Sequence, residues 1–219
     1  MQGGQLVLEQ LHCMGFVGTT RGGVVGMRGA GAQNLTLRRS IFSHNQAEWY
    51  GGALYAYGAD GDVAGSALLH VEDVEFVENS AVYNGGAVHF NGLYGNVTAS
   101  FVRCTWVGNR AAHGAAVANL FGKISLSDAS VAHNGAAVVG GGYYQYTAGG
   151  SPSAQSLFLR ANFSNNSGGD LVFHTVQANS SASTAILCDS RFDTLDDEEA
   201  EVHIDDPSLC GDVDGFSVV

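Results

Sequence analysis

Residues 41–54 read IFSHNQAEWYGGAL and residues 75–88 read EFVENSAVYNGGAV. Both run from Phe to Asn three positions on, to Ala two further, and then to Gly-Gly-Ala. Trp106, Asn109, Ala111 and Gly114-Ala115 repeat the frame with one residue deleted. Val131, Asn134 and Ala136 carry it again, as do Phe163, Asn166 and Gly168-Gly169. Cys13 with Gly22-Gly23 supplies an earlier copy and Phe192 a later one. With the Phe position as marker, copies fall at 13, 42, 76, 106, 131, 163 and 192, a spacing of 25 to 34 residues. Self-similarity at that period is the mark of a stacked repeat architecture.

Columns through the copies show which side chains turn inward. Five positions before the marker stand Leu8, Leu37, Val71, Phe101, Leu126, Phe158 and Leu187. Seven before it stand Leu6, Leu35, Leu69, Ala99, Ile124, Ser156 and Ala185. Small or apolar residues fill the column two before it, from Leu11 to Ser190. Each pair of columns keeps the two-residue period of a strand buried on one face. The three-residue step between the pairs requires a bend that resets the phase. Arg38, Glu75 and Arg103 fall between the columns and are expected to face solvent.

Short strands recurring about every 30 residues predict an all-β chain, a parallel β-helix of about seven coils stacked at roughly 4.8 Å. Gly-Gly gives the corners backbone conformations closed to other residues. The column Asn45, Asn79, Asn109, Asn134 and Asn166 is read as turn formers that tolerate the left-handed conformation and whose side chains can hydrogen-bond as a ladder. Phe16 and Leu195 replace Asn in the end coils and are placed to close it.

The F-x-x-N and G-G-A-[ILV] pair, clearest at Phe42/Asn45/Gly51-Gly52-Ala53-Leu54 and Phe76/Asn79/Gly85-Gly86-Ala87-Val88, resembles the repeat of chlamydial polymorphic outer-membrane proteins. That repeat sits within the right-handed parallel β-helix, pectin-lyase-like class. The resemblance implies a right-handed coil and a surface passenger in adhesion. The chain departs from the family in that no C-terminal β-barrel segment follows the repeats, so self-delivery through an outer membrane is not expected.

Composition narrows the function. The 219 residues include 31 Gly and only 14% charged residues, with 9 basic against 21 acidic side chains and a net charge of −12. Such a chain repels phosphate backbones, so nucleic acid is not an expected partner. The longest stretch free of Asp, Glu, Lys and Arg, Ala129 to Leu159, is broken by Gly140-Gly141-Gly142, Gly149-Gly150 and Pro152, and no membrane insertion is expected. Met1-Gln2-Gly3-Gly4 lacks the basic and apolar regions of a signal peptide.

Catalytic sites on this class of fold need acidic or basic side chains aligned on one face. Carboxylates here crowd the tail, at Asp196, Asp197, Glu198, Glu199, Glu201, Asp205 and Asp206, and Glu72, Asp73, Asp60 and Asp62 stand apart from them. No catalytic residue is assigned. Asp60-Gly61-Asp62 and Asp212-Val213-Asp214-Gly215 are incomplete calcium loops and read as solvated turns. The eight histidines read as surface or turn residues; His44 and His133 lie about 14 Å apart by coil stacking, too far to share a metal. No metal or cofactor is expected. Cys13 and Cys104 are placed as buried thiols, while Cys188 and Cys210, bracketing the last turn, are expected to form a disulfide that staples the C-terminal end. Five glycosylation sequons begin at Asn34, Asn96, Asn162, Asn165 and Asn179.

These readings converge on one domain, with coils over residues 1–187 and a last coil with an acidic cap over 188–219. The expected role is a non-enzymatic extracellular or cell-surface module for adhesion or structural assembly, meeting a protein or glycan partner. Only Met1 to Gln5 precede Leu6, so further coils or a partner are expected against the N-terminal end. The alternative is a carbohydrate-active enzyme or glycan binder. Trp49, Tyr50, Tyr55, Tyr57, Tyr83, Tyr94, Tyr143, Tyr144 and Tyr146 gather near the Gly-Gly corners and are expected at the surface. A row of rings beside two carboxylates would favour the enzyme.

Overall fold

The computed structural model describes residues 4–29, 31–60, 63–148, 153–176, 184–198, 201–204 and 210. Three parallel sheets wind as a β-solenoid. In the widest, Gly4–Glu9 and His12–Met14 pair with Ala32–Ser43, which pairs with Ser66–Val77. Asn96–Val102, Lys123–Ser127, Gln155–Leu159, Thr184–Cys188 and Glu201–Ile204 continue the stack. A second sheet of seven strands runs from Val25–Arg28 through Leu54–Tyr57, Val88–Asn91, Val117–Leu120, Tyr143–Ala148 and Leu171–Val176 to Leu195–Glu198. A narrow five-stranded sheet from Val17–Gly18 to Gly135–Val139 closes the coil. Seven stacked strands enclose six full turns. The antiparallel pair Ala59–Asp60 and Val63–Ala64 stands outside the coil.

Strand register reproduces the sequence columns. Leu35 pairs with Leu69, Leu37 with Val71 and Phe42 with Phe76. The phase reset lies three residues before the marker, where Gln10, Arg39, Asp73, Arg103, Asp128, Arg160 and Asp189 all take φ between 46° and 55°. Left-handed backbone costs a non-glycine residue about 1 kcal/mol or more. It is retained in every coil because the kink turns both halves of the strand inward. Phe42, Phe76 and Trp106 then form a buried column, with rings stacked at 5.7 and 5.3 Å.

The corner before the second sheet explains the Gly-Gly pair. Gly51 has φ +63°, and a Cβ on Gly52 would lie 2.2 Å from the carbonyl oxygen of Gly86 in the next coil. One glycine supplies the turn; the other lets the coils approach.

Several expectations change. The left-handed residue at the second bend is the one before each Asn (His44, Glu78, Gly108, His133, Asn165), so the Asn column is not where the backbone turns over. Two of the tyrosines expected at the surface are buried: Tyr55, at 4% exposure, and Tyr143, which shares the inward column of Val117 and Leu171 and whose hydroxyl lies 2.6 Å from Ser156 Oγ. His89 is also buried, at 1% exposure, under neighbouring tyrosines. Within the acidic tail, Leu195–Glu198 is a regular strand paired in parallel with Leu171–Val176. Glu201–Ile204 opens an eighth level of the widest sheet. Glu199, Asp205, Asp206, Asp212 and Asp214 lie outside the described residues.

Candidate functional site

The five inner coils place an Asn side chain inside the bend between the widest and narrowest sheets. Asn45, Asn79, Asn109 and Asn134 are at most 1% exposed. Asn79 Nδ2 donates to Asn109 Oδ1 and to the Phe42 carbonyl, while Asn109 Nδ2 donates to Asn134 Oδ1 and to the Phe76 carbonyl. Each Oδ1 also accepts the backbone N–H of the Asn one coil earlier. The amides thereby satisfy one another along the axis, which is what permits their burial. At one end Asn45 Oδ1 accepts the Phe16 N–H. The other end is closed by buried Asp170, not by Leu195: its Oδ1 accepts from Asn166 Nδ2 at 2.7 Å and its Oδ2 from the N–H groups of Asp193 and Thr194. This ladder is structural.

The outer edge at the first bend carries a second column. Arg39, Asp73, Arg103, Asp128, Arg160 and Asp189 alternate in sign from coil to coil. Arg103 Nε lies 2.7 Å from Asp73 Oδ1, and Arg160 Nε lies 2.6 Å from Asp128 Oδ1. Hydrogen bonds from Arg103 and Arg160 hold the Asp73 and Asp128 carboxyls below the usual carboxylate range. Arg103 also reaches Glu72, Arg38 pairs with Glu72 at 3.3 Å, and Arg39 pairs with Glu9. Exposed pairs contribute little stability each. Their alternation penalises a slip by one coil, which would set like charges together. The signal was present in the sequence, three residues before each marker.

Chemistry outside these ladders gathers on the outer face of the second sheet. Arg21 and Tyr50 stand one above the other before successive Gly-Gly pairs, and Arg28 pairs in register with Tyr57. The Arg21 guanidinium carbon lies 5.9 Å from the Trp49 ring centroid and 5.7 Å from both Tyr50 and Tyr55; that of Arg28 lies 5.9 Å from Tyr57. The His89 ring stacks on Tyr50 at 4.8 Å and Tyr55 at 5.5 Å. Burial, with Arg21 nearby, pushes the His89 pKa down to about 3, so the ring is neutral. Burial also raises the Tyr55 hydroxyl. Two hollows flank Tyr55, one of about 400 Å³ against Arg21 and Trp49 and one of about 280 Å³ against Tyr57 and His89. No carboxylate among the described residues lines either hollow. Sequence reasoning found the tyrosines but missed Arg21, Arg28 and His89, although Arg21 precedes Gly22-Gly23 as Tyr50 precedes Gly51-Gly52.

The other predicted residues are spread over the surface. Asn34, Asn96, Asn162 and Asn165 are exposed; Asn179 lies outside the described residues. His44 pairs with Glu78 at 2.9 Å. Cys188 and Cys210 are joined by a disulfide, while Cys104 is a buried free thiol and Cys13 a half-buried one.

The fold and these columns define a parallel β-solenoid built from short F-x-x-N/G-G-A repeats. Residues 39–57 match the family model of the Chlamydia polymorphic membrane protein repeat. That match spans the end of the strand Ala32–Ser43, the Asn45 bend with Gln46–Ala47, the Gly51-Gly52 corner and the strand Leu54–Tyr57, and the chain is a β-helix protein with repeats similar to those of that family. No curated protein and no solved structure matches the chain.

Proposed function

We propose that this chain is a non-enzymatic extracellular or cell-surface module for adhesion or structural assembly. The similarity of residues 39–57 to a repeat of chlamydial polymorphic membrane proteins supports a place at a cell surface. The observation that carries the reading is the division of charged and aromatic groups. Acids on the outer edge at the first bend are engaged with arginines, while among the described residues the hollows around Tyr50 and Tyr55 are lined by Arg21 and Arg28 and by no carboxylate. Rings beside cations make a recognition surface; glycosidic bond cleavage would need a pair of carboxyl groups, and His89, with its pKa pushed down to about 3, is too weak a base to replace one.

In this reading the coils are a rigid spacer, and the exposed sequon asparagines accept glycans where the chain passes through a eukaryotic secretory route. The first described coil exposes Leu6 and Phe16 at 51% and Val17 at 73%, and a further coil or a partner stacks there. Residues 1–187 and the segment from 188 onward act as one unit.

Antibody against the solenoid, applied to unpermeabilised source cells, tests the placement. Staining that equals the permeabilised signal is expected. Staining only after permeabilisation overturns it.

A further inference from the structure

We infer that the face around Arg21 and His89 binds one carboxylate-bearing sugar residue within an otherwise neutral glycan. The inference rests on reading that face as a recognition surface, and it adds the chemical class of the ligand.

Arg21 is the first ground. Arg38, Arg39, Arg103 and Arg160 each have a carboxylate partner. Among the described residues Arg21 has none, in a chain of net charge −12. Its guanidinium lies on three rings instead, and its buried Nε has no hydrogen-bond partner. A planar guanidinium so placed presents its fork to a carboxylate, which takes two parallel hydrogen bonds.

His89 is an independent ground. It lines the second hollow at 1% exposure, and its Nδ1 also lacks a partner. Native structures leave few buried polar groups unsatisfied, and those they leave call for an explanation. Of the four such atoms among the described residues two, on Arg21 and His89, adjoin one ring cluster; the others, Arg38 Nε and Trp106 Nε1, lie apart from it, and Arg38 Nε has Glu72 at 3.3 Å. A sugar hydroxyl both donates and accepts, so it satisfies a neutral imidazole nitrogen in either tautomer.

The rings and the overall charge set the rest of the ligand. Trp49 is 41% exposed, and flat aromatic faces pack the C–H side of a sugar ring. The larger hollow, about 400 Å³, falls within the usual range of small-molecule sites. A protein carrying −12 opposes a polyanion, so the site suits a single acidic sugar on a neutral chain.

Titration of the purified chain with sialyllactose, its carboxyl methyl ester, lactose and polygalacturonate, followed by Trp fluorescence and protein NMR, tests this. Sialyllactose is expected to bind with Kd of about 1 mM or tighter, and the ester and lactose about tenfold more weakly or worse. Arg21→Gln should weaken sialyllactose about tenfold and leave lactose unchanged. The ester comparison needs no substitution, so it decides even if that variant misfolds. Equal binding of acid and ester, no binding of sialyllactose at about 10 mM, or a preference for polygalacturonate would each overturn the inference. Surface staining can succeed while this fails, so the two readings fall separately.

Discussion

Asn109 Oδ1 accepts two hydrogen bonds from Asn79, from the backbone N–H at 2.9 Å and from Nδ2 at 3.1 Å. One buried atom therefore ties two coils through main chain and side chain together. Asn109→Ala removes both, and it also strips the Phe76 carbonyl and Asn134 Oδ1 of a donor. Stranding several buried polar groups should destabilise the chain by roughly 3 kcal/mol or more. Denaturant unfolding should show a lower midpoint with an unchanged slope.

Gly52 and Gly26 make a matched pair. A Cβ on Gly52 meets the Gly86 and Ser80 carbonyl oxygens at 2.2 and 2.5 Å, whereas one on Gly26 meets nothing nearer than 3.8 Å. Gly52→Ala should force the coils apart and cost about 3 kcal/mol, near the upper end for overpacking. Gly26→Ala should stay within about 0.5 kcal/mol of the parent. Thermal melts of the two variants make the comparison.

Stability should fall with acid in a window set by His89. Its pKa is lowered by burial to about 3, with the Arg21 charge adding to the effect. Below about pH 6.5 the unfolded chain takes up a proton that the native ring refuses, so stability is full above that value and declines towards pH 3. The slope approaches about 1.4 kcal/mol per pH unit for one proton. His113, lowered by burial, acts in the same direction. His89→Gln should flatten the profile between about pH 6 and 4; an unchanged slope would remove His89 as its source.

Thiol chemistry separates the four cysteines. Under denaturing, non-reducing conditions two thiols should titrate, and four after reduction. In the native chain Cys104 should resist alkylation, since burial pushes its pKa up to about 12; Cys13, half-buried, should react first. Closing a loop of 22 residues, the bridge should contribute roughly 3 kcal/mol.

The inward columns were legible in the sequence because a solenoid stacks equivalent positions, so apolar identity recurs at each coil. Leu37, Val71 and Phe101 lie in register as their spacing from the marker implied. The outward chemistry was harder to read, since it depends on how loops of unequal length turn. Tyr143 resembled the other corner tyrosines, yet it follows Gly140-Gly141-Gly142 as Leu54 follows Gly51-Gly52-Ala53, which is the inward position of the repeat. His89 sits on an outward position and is buried by Tyr50 and Tyr55, rings from another coil. Asp170 closes the Asn ladder from outside the column, four residues after Asn166, where no repeat frame places it. The phase reset was inferred, but left-handed backbone at Arg39, Arg103 and Arg160 runs against residue preference, so the conformation itself was not legible there.

The central claim is that residues distant in sequence stack coil by coil along one axis. His12, Ile41, Glu75, Thr105, Ser130 and Asn162 form one outward column in continuous register. Its ends are five steps apart, so their backbones should be separated by about 24 Å. Spin labels at His12 and Asn162, with Cys13 and Cys104 replaced by Ser, measure that separation by electron–electron double resonance. A single narrow distribution near this value, widened only by the label arms, is predicted. A broad distribution, or a mean beyond about 40 Å, would contradict the stacked solenoid.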